Sequence, residues 1–231
     1  VVFLENVENL VSHDKGQTFK TIINTLENEL NYHVIGVKKD KNGELVYDKK
    51  SFIRNTKNFG LPQNRPRGYI VAFSREYYGK HLEMLPKETP TEGRKEIFHS
   101  VLDILQPKVS EKYFLSSGLL KTLENHKTRQ KNNGNGFGYR IVNDTTADRP
   151  LAHTILATGG SGKERNLIYD PVNGKSIIGK DVPPKKTPIN DKCIRTMTPE
   201  EWGRLQGFIG YAFLDENGTE RFSFPEKMSD Q

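Results

Sequence analysis

VVFLENVENLVSHDKGQTFKTIINTLENELNYHVIGV, residues 1–37, carries the pattern on which the fold is read. Val1 to Glu5 is a short apolar run that ends abruptly in a carboxylate and an amide, Asn6, as a strand buried in a parallel sheet does. Chemistry is expected at its carboxyl end. After the Asp14-Lys15-Gly16 turn, Phe19, Ile22, Ile23, Leu26 and Leu30 recur at helical spacing, which predicts one apolar helix face ending near Asn31. His33 to Val37 reads as the next strand. Strand, helix and strand make a βαβ unit, so the expected fold class is α/β, with part of a sheet covered by helices.

Outward from that unit, the turn at Asp40 to Gly43 leads to a second extended stretch near Leu45 to Tyr47, and Gly68 to Phe73 is another buried strand. From about Ser74 the alternation stops and Pro86, Pro90 and Pro107 appear, which places a boundary. A helix carrying Ile97, Val101, Leu102 and Leu105 is expected next, then one from about Ser116 to Gln130. Short strands follow at Gly138 to Val142, His153 to Thr158 and Asn166 to Tyr169, then a turn-rich tract at Gly174 to Asp191. Thr198-Pro199-Glu200-Glu201 is a capping box with proline at the first helical position, opening a helix through about Gln206. The expected division is 1–85 as a catalytic α/β part, 86–190 as a small, irregular, mostly β lobe, and 191–231 as a return segment bracing it. Trp202, Leu205 and Phe208 are expected in the core.

The chain has 231 residues, enough to bury a real core, and opens without an initiating Met, which suggests a fragment. Hydrophobic residues make up 34 % and mean hydropathy is −0.71, with no apolar run long enough for a membrane span. No signal peptide is apparent, and a cytoplasmic location is expected. The single cysteine, Cys193, excludes an internal disulfide or a multi-cysteine zinc site and reads as a small buried thiol. The six histidines show no metal spacing, so no metal is expected. A net charge of +6 is compatible with a polyanionic partner. Locally the excess is sharper: Lys121, Lys127, Arg129, Lys131 and Arg140 face the single acid Glu124, either on a solvated helix or on a phosphate-contacting surface.

FLENVENL (residues 3–10), QNRPRGYIVAF (63–73) and RTMTPEEWGRLQGF (195–208) resemble, in this order, the sixth, eighth and ninth conserved blocks of DNA cytosine-5 methyltransferases. Each piece alone is weak; their order and spacing, with a basic irregular lobe between the second and third, make the resemblance specific. It covers nearly the whole chain, and NGNGFGYR (133–140) is similar to loops of Dcm-like bacterial members. The resemblance implies a Rossmann-like methyltransferase sheet, double-stranded DNA as partner and S-adenosyl-L-methionine as methyl donor.

In that family a cysteine thiolate adds to C6 of a cytosine taken out of the base stack, and C5 then receives the methyl group. By resemblance, Glu5 is the acid at cytosine N3 that eases charge build-up in the ring. Taken alone, it reads equally as an ordinary strand-end carboxylate. Asn6 would lock the turn and Gln63 would be structural. Arg67 is the first choice for the O2 edge of the base and Arg65 the second, with phosphate or backbone-bracing roles open to it. Two solvated loop arginines are the plain alternative. Arg195, Thr198, Glu201, Arg204, Gln206 and Gly207 match the framework holding the recognition lobe. Thr154 and Ile155 stand where the family has a threonine-leucine element. A Gly-rich tip follows, in which Gly159, Gly160 and Gly162 permit close approach while Lys163, Arg165 and Asn166 offer groups to major-groove edges. Lys127, Arg129 and Lys131 join them as expected DNA contacts.

The family's Pro-Cys nucleophile block, its glycine-rich cofactor loop and its last block have no counterpart here. The main cofactor-binding residues and the nucleophile are therefore expected on a complementary polypeptide, with this chain inactive alone. The alternatives are a non-catalytic, sequence-specific DNA-binding module and a decayed relic.

Overall fold

Strand pairing, rather than burial, is what first places residues 1–7. The computed structural model describes residues 1–156, 162–163 and 165–225. It parts into two compact units, Val1–Phe59 with Arg65–Arg94, and Gly60–Asn64 with the chain from Lys95 onward. The first unit runs through β1 (Val2–Val7), α1 (Gln17–Asn24), β2 (Tyr32–Val34), the hairpin β3 (Lys38–Lys39) and β4 (Leu45–Val46), and β5 (Ile53–Asn55). β6 (Gln63–Asn64) belongs to the second unit; the chain then returns for β7 (Pro66–Ser74) and α2 (Arg75–Tyr78).

β7 is the hub. β1 pairs antiparallel with it from Val2↔Ala72 to Val7↔Arg67, and β2 and β5 also pair with it antiparallel. β1 and β2 are therefore parallel to each other with β7 between them, so the expected βαβ unit exists with a reversed strand inserted. Its helix keeps the predicted face: Phe19, Ile23 and Leu26 are buried with Val34, Phe52 and Ile70. Asn31, at φ 55°, turns the chain out of the last helical turn, the left-handed stop that asparagine tolerates. The buried Glu27 carboxylate accepts the Val34 N–H at 2.7 Å and pairs with Arg75 at 2.5 Å, tying the helix end to β2 and α2.

Two expectations about β1 need correction. It is antiparallel to its neighbour, and it is largely open: Phe3 is 65 % and Val7 52 % exposed, while Val2 packs against the core. An apolar run marks a surface suited to being covered; it does not say what covers it. GYIVAF behaves as expected, with Gly68, Ile70 and Ala72 buried in alternation.

The second unit continues with α3 (Ser117–Asn132), β8 (Arg140–Ile141), β9 (Ala152–His153), β10 (Asn166–Tyr169), α4 (Pro171–Gly174), β11 (Ile194–Arg195) and α5 (Pro199–Leu205). β10 pairs with β8 in parallel and with β11 antiparallel, and β6 pairs with β9 in parallel. The expected helix around Ile97 to Leu105 is only a single 3-10 turn, Val101–Ile104. Backbone groups that a helix would need are taken elsewhere: the Ile97 and Phe98 N–H groups bond Gly60 and that of Val101 bonds Pro150. Leu205 is fully buried and Trp202 packs beside it, but Phe208 is 45 % exposed. Gly207, at φ 75°, turns the chain away from the α5 face before Phe208 is reached.

The units part at 94/95 where the sequence reading divided the chain at 85/86. Residues 86–94 are fastened to the first unit by the Arg54 guanidinium, which donates to the Thr89 carbonyl at 2.7 Å and also to that of Pro90, and by the Gly36 N–H, which donates to Lys87 at 3.0 Å. No helix among the described residues is long and apolar enough to cross a membrane.

Candidate functional site

In an antiparallel pair, residues two apart on one strand share a face, so a side chain reaches the diagonal neighbour across the ladder. Glu5 lies opposite Tyr69, which makes Arg67 its diagonal neighbour. The Arg67 Nε lies 3.0 Å from Glu5 Oε1, and Arg65 Nη2 lies 3.8 Å from the same oxygen. Glu5 Oε2 takes no part in either pair. The Glu5 side chain is 41 % exposed while that of Arg67 is 13 % exposed, so a held guanidinium supports a carboxyl group that outside molecules can reach. Arg67 also donates from Nη1 to the Pro66 carbonyl at 2.7 Å. Arg65 is fixed through its backbone, whose N–H donates to Asn55 Oδ1 at 3.0 Å. Asn6 Oδ1 accepts the Val7 N–H at 2.8 Å, stiffening the strand end after Glu5.

Glu5 and Arg67, sixty-two positions apart in sequence, are brought together by the β1/β7 register, and Arg65 is set beside them by its bond to Asn55. A carboxyl group able to exchange a proton, beside two guanidiniums with fork geometry, suits a planar polar ring edge and an adjoining phosphate.

The residues expected to contact DNA lie in the second unit. Gln63 is 2 % exposed in β6, paired with Ala152, and the Thr154 hydroxyl donates to the Asn64 carbonyl at 3.0 Å. Ile155 packs on the core cluster of Val101, Ile104 and Leu205. The Gln-Asn-Arg-Pro-Arg segment is thus divided, its first two residues in β6 of one unit and its arginines in the other.

Asn166, expected to face base edges, is 5 % exposed, with both side-chain groups committed to His153: Oδ1 accepts its N–H and Nδ2 donates to its carbonyl, each at 2.9 Å. It is placed as a clamp between β9 and β10. Asn166→Ala is expected to lower stability by about 1–3 kcal/mol, the cost of leaving buried backbone groups without partners, read as a lower urea midpoint. Arg165 is partly buried, its Nε donating to the Gly162 carbonyl, and burial draws its guanidinium below the ordinary value. Lys163 is exposed; Gly159 and Gly160 lie outside the described residues. Lys127, Arg129 and Lys131 are exposed on α3, and Lys127 Nζ sits 4.7 Å from the centre of the Tyr139 ring.

The third block forms a buried ionic cluster. Arg195, 1 % exposed, donates from Nε to Asp170 at 2.7 Å and from Nη1 and Nη2 to Glu201 at 2.7 and 2.9 Å. Burial opposes the Arg195 charge, but the bonds from both carboxylates outweigh it and raise its affinity for the proton. Glu201 also accepts the Thr198 and Gln106 N–H groups, each at 2.9 Å, while the Thr198 hydroxyl accepts from the Glu201 N–H, completing the predicted capping box. Arg204 donates to the Ile104 carbonyl at 3.0 Å. Exposed Gln206 caps α5, and the buried Gly207 leaves a Cβ only 3.2 Å from Leu61.

Asp170 and Gln106 were not singled out in the sequence. Asp170 had a readable signal: with Pro171 after it, it has the form of a helix cap, and it does accept the Asn173 N–H at 3.0 Å. Cys193 is buried at φ 53°, and burial pushes its thiol up, away from the thiolate a nucleophile needs. Among the described residues no group of three or more His, Cys, Asp or Glu side chains is placed to hold a metal.

Comparison with known proteins extends this geometry. The family model for C-5 cytosine-specific DNA methylases matches residues 1–213. The Type II methyltransferase M.HpaII of Haemophilus parainfluenzae is 39 % identical over 207 residues, 89 % of this chain and 50 % of that protein. M1.ScrFI of Lactococcus lactis subsp. cremoris is 34 % identical over 219 residues, 95 % of this chain and 45 % of that protein. The solved Entamoeba histolytica methyltransferase EhMeth shares the fold with a TM-score of 0.54 at 19 % identity, over 99 % of this chain and 54 % of that one. The chain spans about half the length of the curated relatives it matches.

Proposed function

This chain belongs to the C-5 cytosine-specific DNA methylase family, and on that footing we propose that it is one half of a DNA cytosine-5 methyltransferase, carrying the base-activating acid and the target-recognition lobe. The observation that carries the reading is the Glu5–Arg67 pair at 3.0 Å, with Arg65 beside it, on strands inside the family match.

In this reading the flipped cytosine presents N3 to the Glu5 carboxyl and O2 to Arg67. Glu5 hydrogen-bonds N3 as a thiolate from the complementary polypeptide adds to C6, and so lowers the cost of charge in the ring. Arg67 holds both Glu5 and the base edge. Arg65 takes the neighbouring phosphate. S-adenosyl-L-methionine supplies the methyl group to C5 when bound. Two guanidiniums are a poor lining for its sulfonium cation, so the residues gathered here do not fit it, and its pocket is assigned to the complementary polypeptide.

Labelled methyl transfer to duplex DNA tests the proposal, with this chain alone and then mixed with a polypeptide carrying the family's remaining blocks. Transfer only in the mixture supports it; transfer by the chain alone overturns the assignment of the nucleophile. Specific DNA binding without transfer in either case favours the non-catalytic DNA-binding module, a reading that the buried Cys193 leaves standing. In the active mixture, Arg67→Lys is expected to lower kcat/KM about tenfold to a hundredfold, corresponding to the ~1.5–3 kcal/mol of a hydrogen bond to a charged group. An unchanged kcat/KM would remove Arg67 from the base contact.

A further inference from the structure

After α3 the chain makes a tip whose form is specified by its own bonds. The Asn135 N–H donates to the Gln130 carbonyl at 2.9 Å, its side chain donates to Gln130 Oε1 at 3.0 Å, and the Gly134 N–H donates to Lys131 at 3.0 Å. Gly134 and Gly138 stand at φ 75° and 138°, and a Cβ on Gly138 would meet the Lys127 side chain at 3.0 Å, so the return strand lies close against the helix. Between these glycines the tip presents Phe137, which is 53 % exposed. Lys127 is held over Tyr139 at 4.7 Å, and Lys131 and Arg140 are exposed. Residues 125–143 carry four cations, Lys127, Arg129, Lys131 and Arg140, and no acid.

An apolar ring held out into water by a bonded loop, within a purely cationic stretch, matches a surface that neutralises phosphates and inserts a side chain between stacked bases. A protein partner would call for an apolar surround; a polyanion with π faces calls for the one found here. We propose that Phe137 is a wedge that stacks against a base of duplex DNA while Lys127, Lys131 and Arg140 take phosphates on either side. The proposal rests on the reading that this chain docks on DNA, and adds the residue that breaks into the stack. Its gain would be to offset part of the unstacking that base flipping requires.

The test measures binding of the full chain to random-sequence duplex DNA across a salt series, with Phe137→Ala, Phe137→Trp and Lys131→Ala. Phe137→Ala is expected to lose affinity about tenfold to a hundredfold, the worth of one base stacked on an aromatic ring, with the salt slope unchanged. Lys131→Ala is expected to flatten that slope by about one. Phe137→Trp should bind as the parent does, and its added emission should be quenched by the duplex. Affinity of Phe137→Ala within about twofold of the parent, or unquenched emission from bound Phe137→Trp, overturns the wedge and leaves the methyltransferase reading intact. A parent chain that does not bind duplex DNA even at low salt overturns both.

Discussion

Glu5→Gln is expected to cut methyl transfer in the complemented enzyme by about 10²- to 10⁴-fold, the usual worth of a positioned acid or base, while DNA affinity changes little. Gln preserves the volume and an oxygen for Arg67, so the 3.0 Å contact that orients the site has a neutral substitute. What it removes is the ionisable proton and the charge that answers two guanidiniums. Because the parent side chain is 41 % exposed and Gln keeps an oxygen for the largely buried Arg67 guanidinium, the fold is expected to survive. The measurement is kcat for labelled methyl transfer beside the dissociation constant for the same duplex. Equal loss of both would make Glu5 a binding residue that merely holds the arginines. A kcat within about threefold of the parent, set against the hundredfold lower bound for such a group, would remove it from the chemistry.

The largest effect on stability is expected from Arg195→Met. The substitution leaves the carboxylates of Asp170, 8 % exposed, and Glu201, fully buried, without the cation that answers them. Breaking a buried pair from one side costs about 3–5 kcal/mol, a large part of the roughly 5–15 kcal/mol that holds a domain folded. A much lower urea midpoint or outright failure to fold is the expected result. A midpoint within experimental error of the parent would show that the cluster is solvated in solution.

The same cluster fixes a pH dependence. Burial raises the Asp170 carboxyl, but the Asn173 N–H, the Arg195 bond and the Arg195 charge outweigh it and hold it below the ordinary value. A carboxyl depressed in the folded state stabilises fully above its unfolded value of about 3.9, and that contribution is lost as pH falls through the folded value. In Arg195→Met the Arg195 bond and charge are lost while the Asn173 bonds remain, so the depression is reduced. The destabilisation is therefore expected to be greatest near neutral pH and to shrink below about pH 4, where the unfolded carboxyl is itself protonated. A penalty that stays constant across that range would assign it to lost packing.

Local features were legible in the sequence because local chemistry decides them. The Phe19–Ile23–Leu26 spacing, the turn at Gly43, the strand Asn166–Tyr169 and the Thr198 capping box each depend on neighbours a few residues away. Resemblance, rather than spacing, pointed to Glu5, Arg65 and Arg67 together; the pairing of Glu5 with Arg67 needed the β1/β7 register, which no local pattern contains. Asn166 shows the opposite difficulty. Its composition suits a base-reading loop and a backbone clamp equally, and only its burial against His153 separates them. The helix anticipated around Val101 fails for a similar reason: its apolar spacing is real, but Gly60 and Pro150 claim the N–H groups.

The excursion of residues 60–64 into the second unit bears on how such lobes diverge. Pro62 accepts the Ala152 N–H and Asn64 accepts the Thr154 hydroxyl, so β9 takes its strand partner from a stretch that precedes β7. A lobe is consequently no simple cassette. One crossover at 94/95 between two ancestral genes would join a new β9 to an old β6, and every exchange of specificity by that route must keep faith with five residues encoded elsewhere.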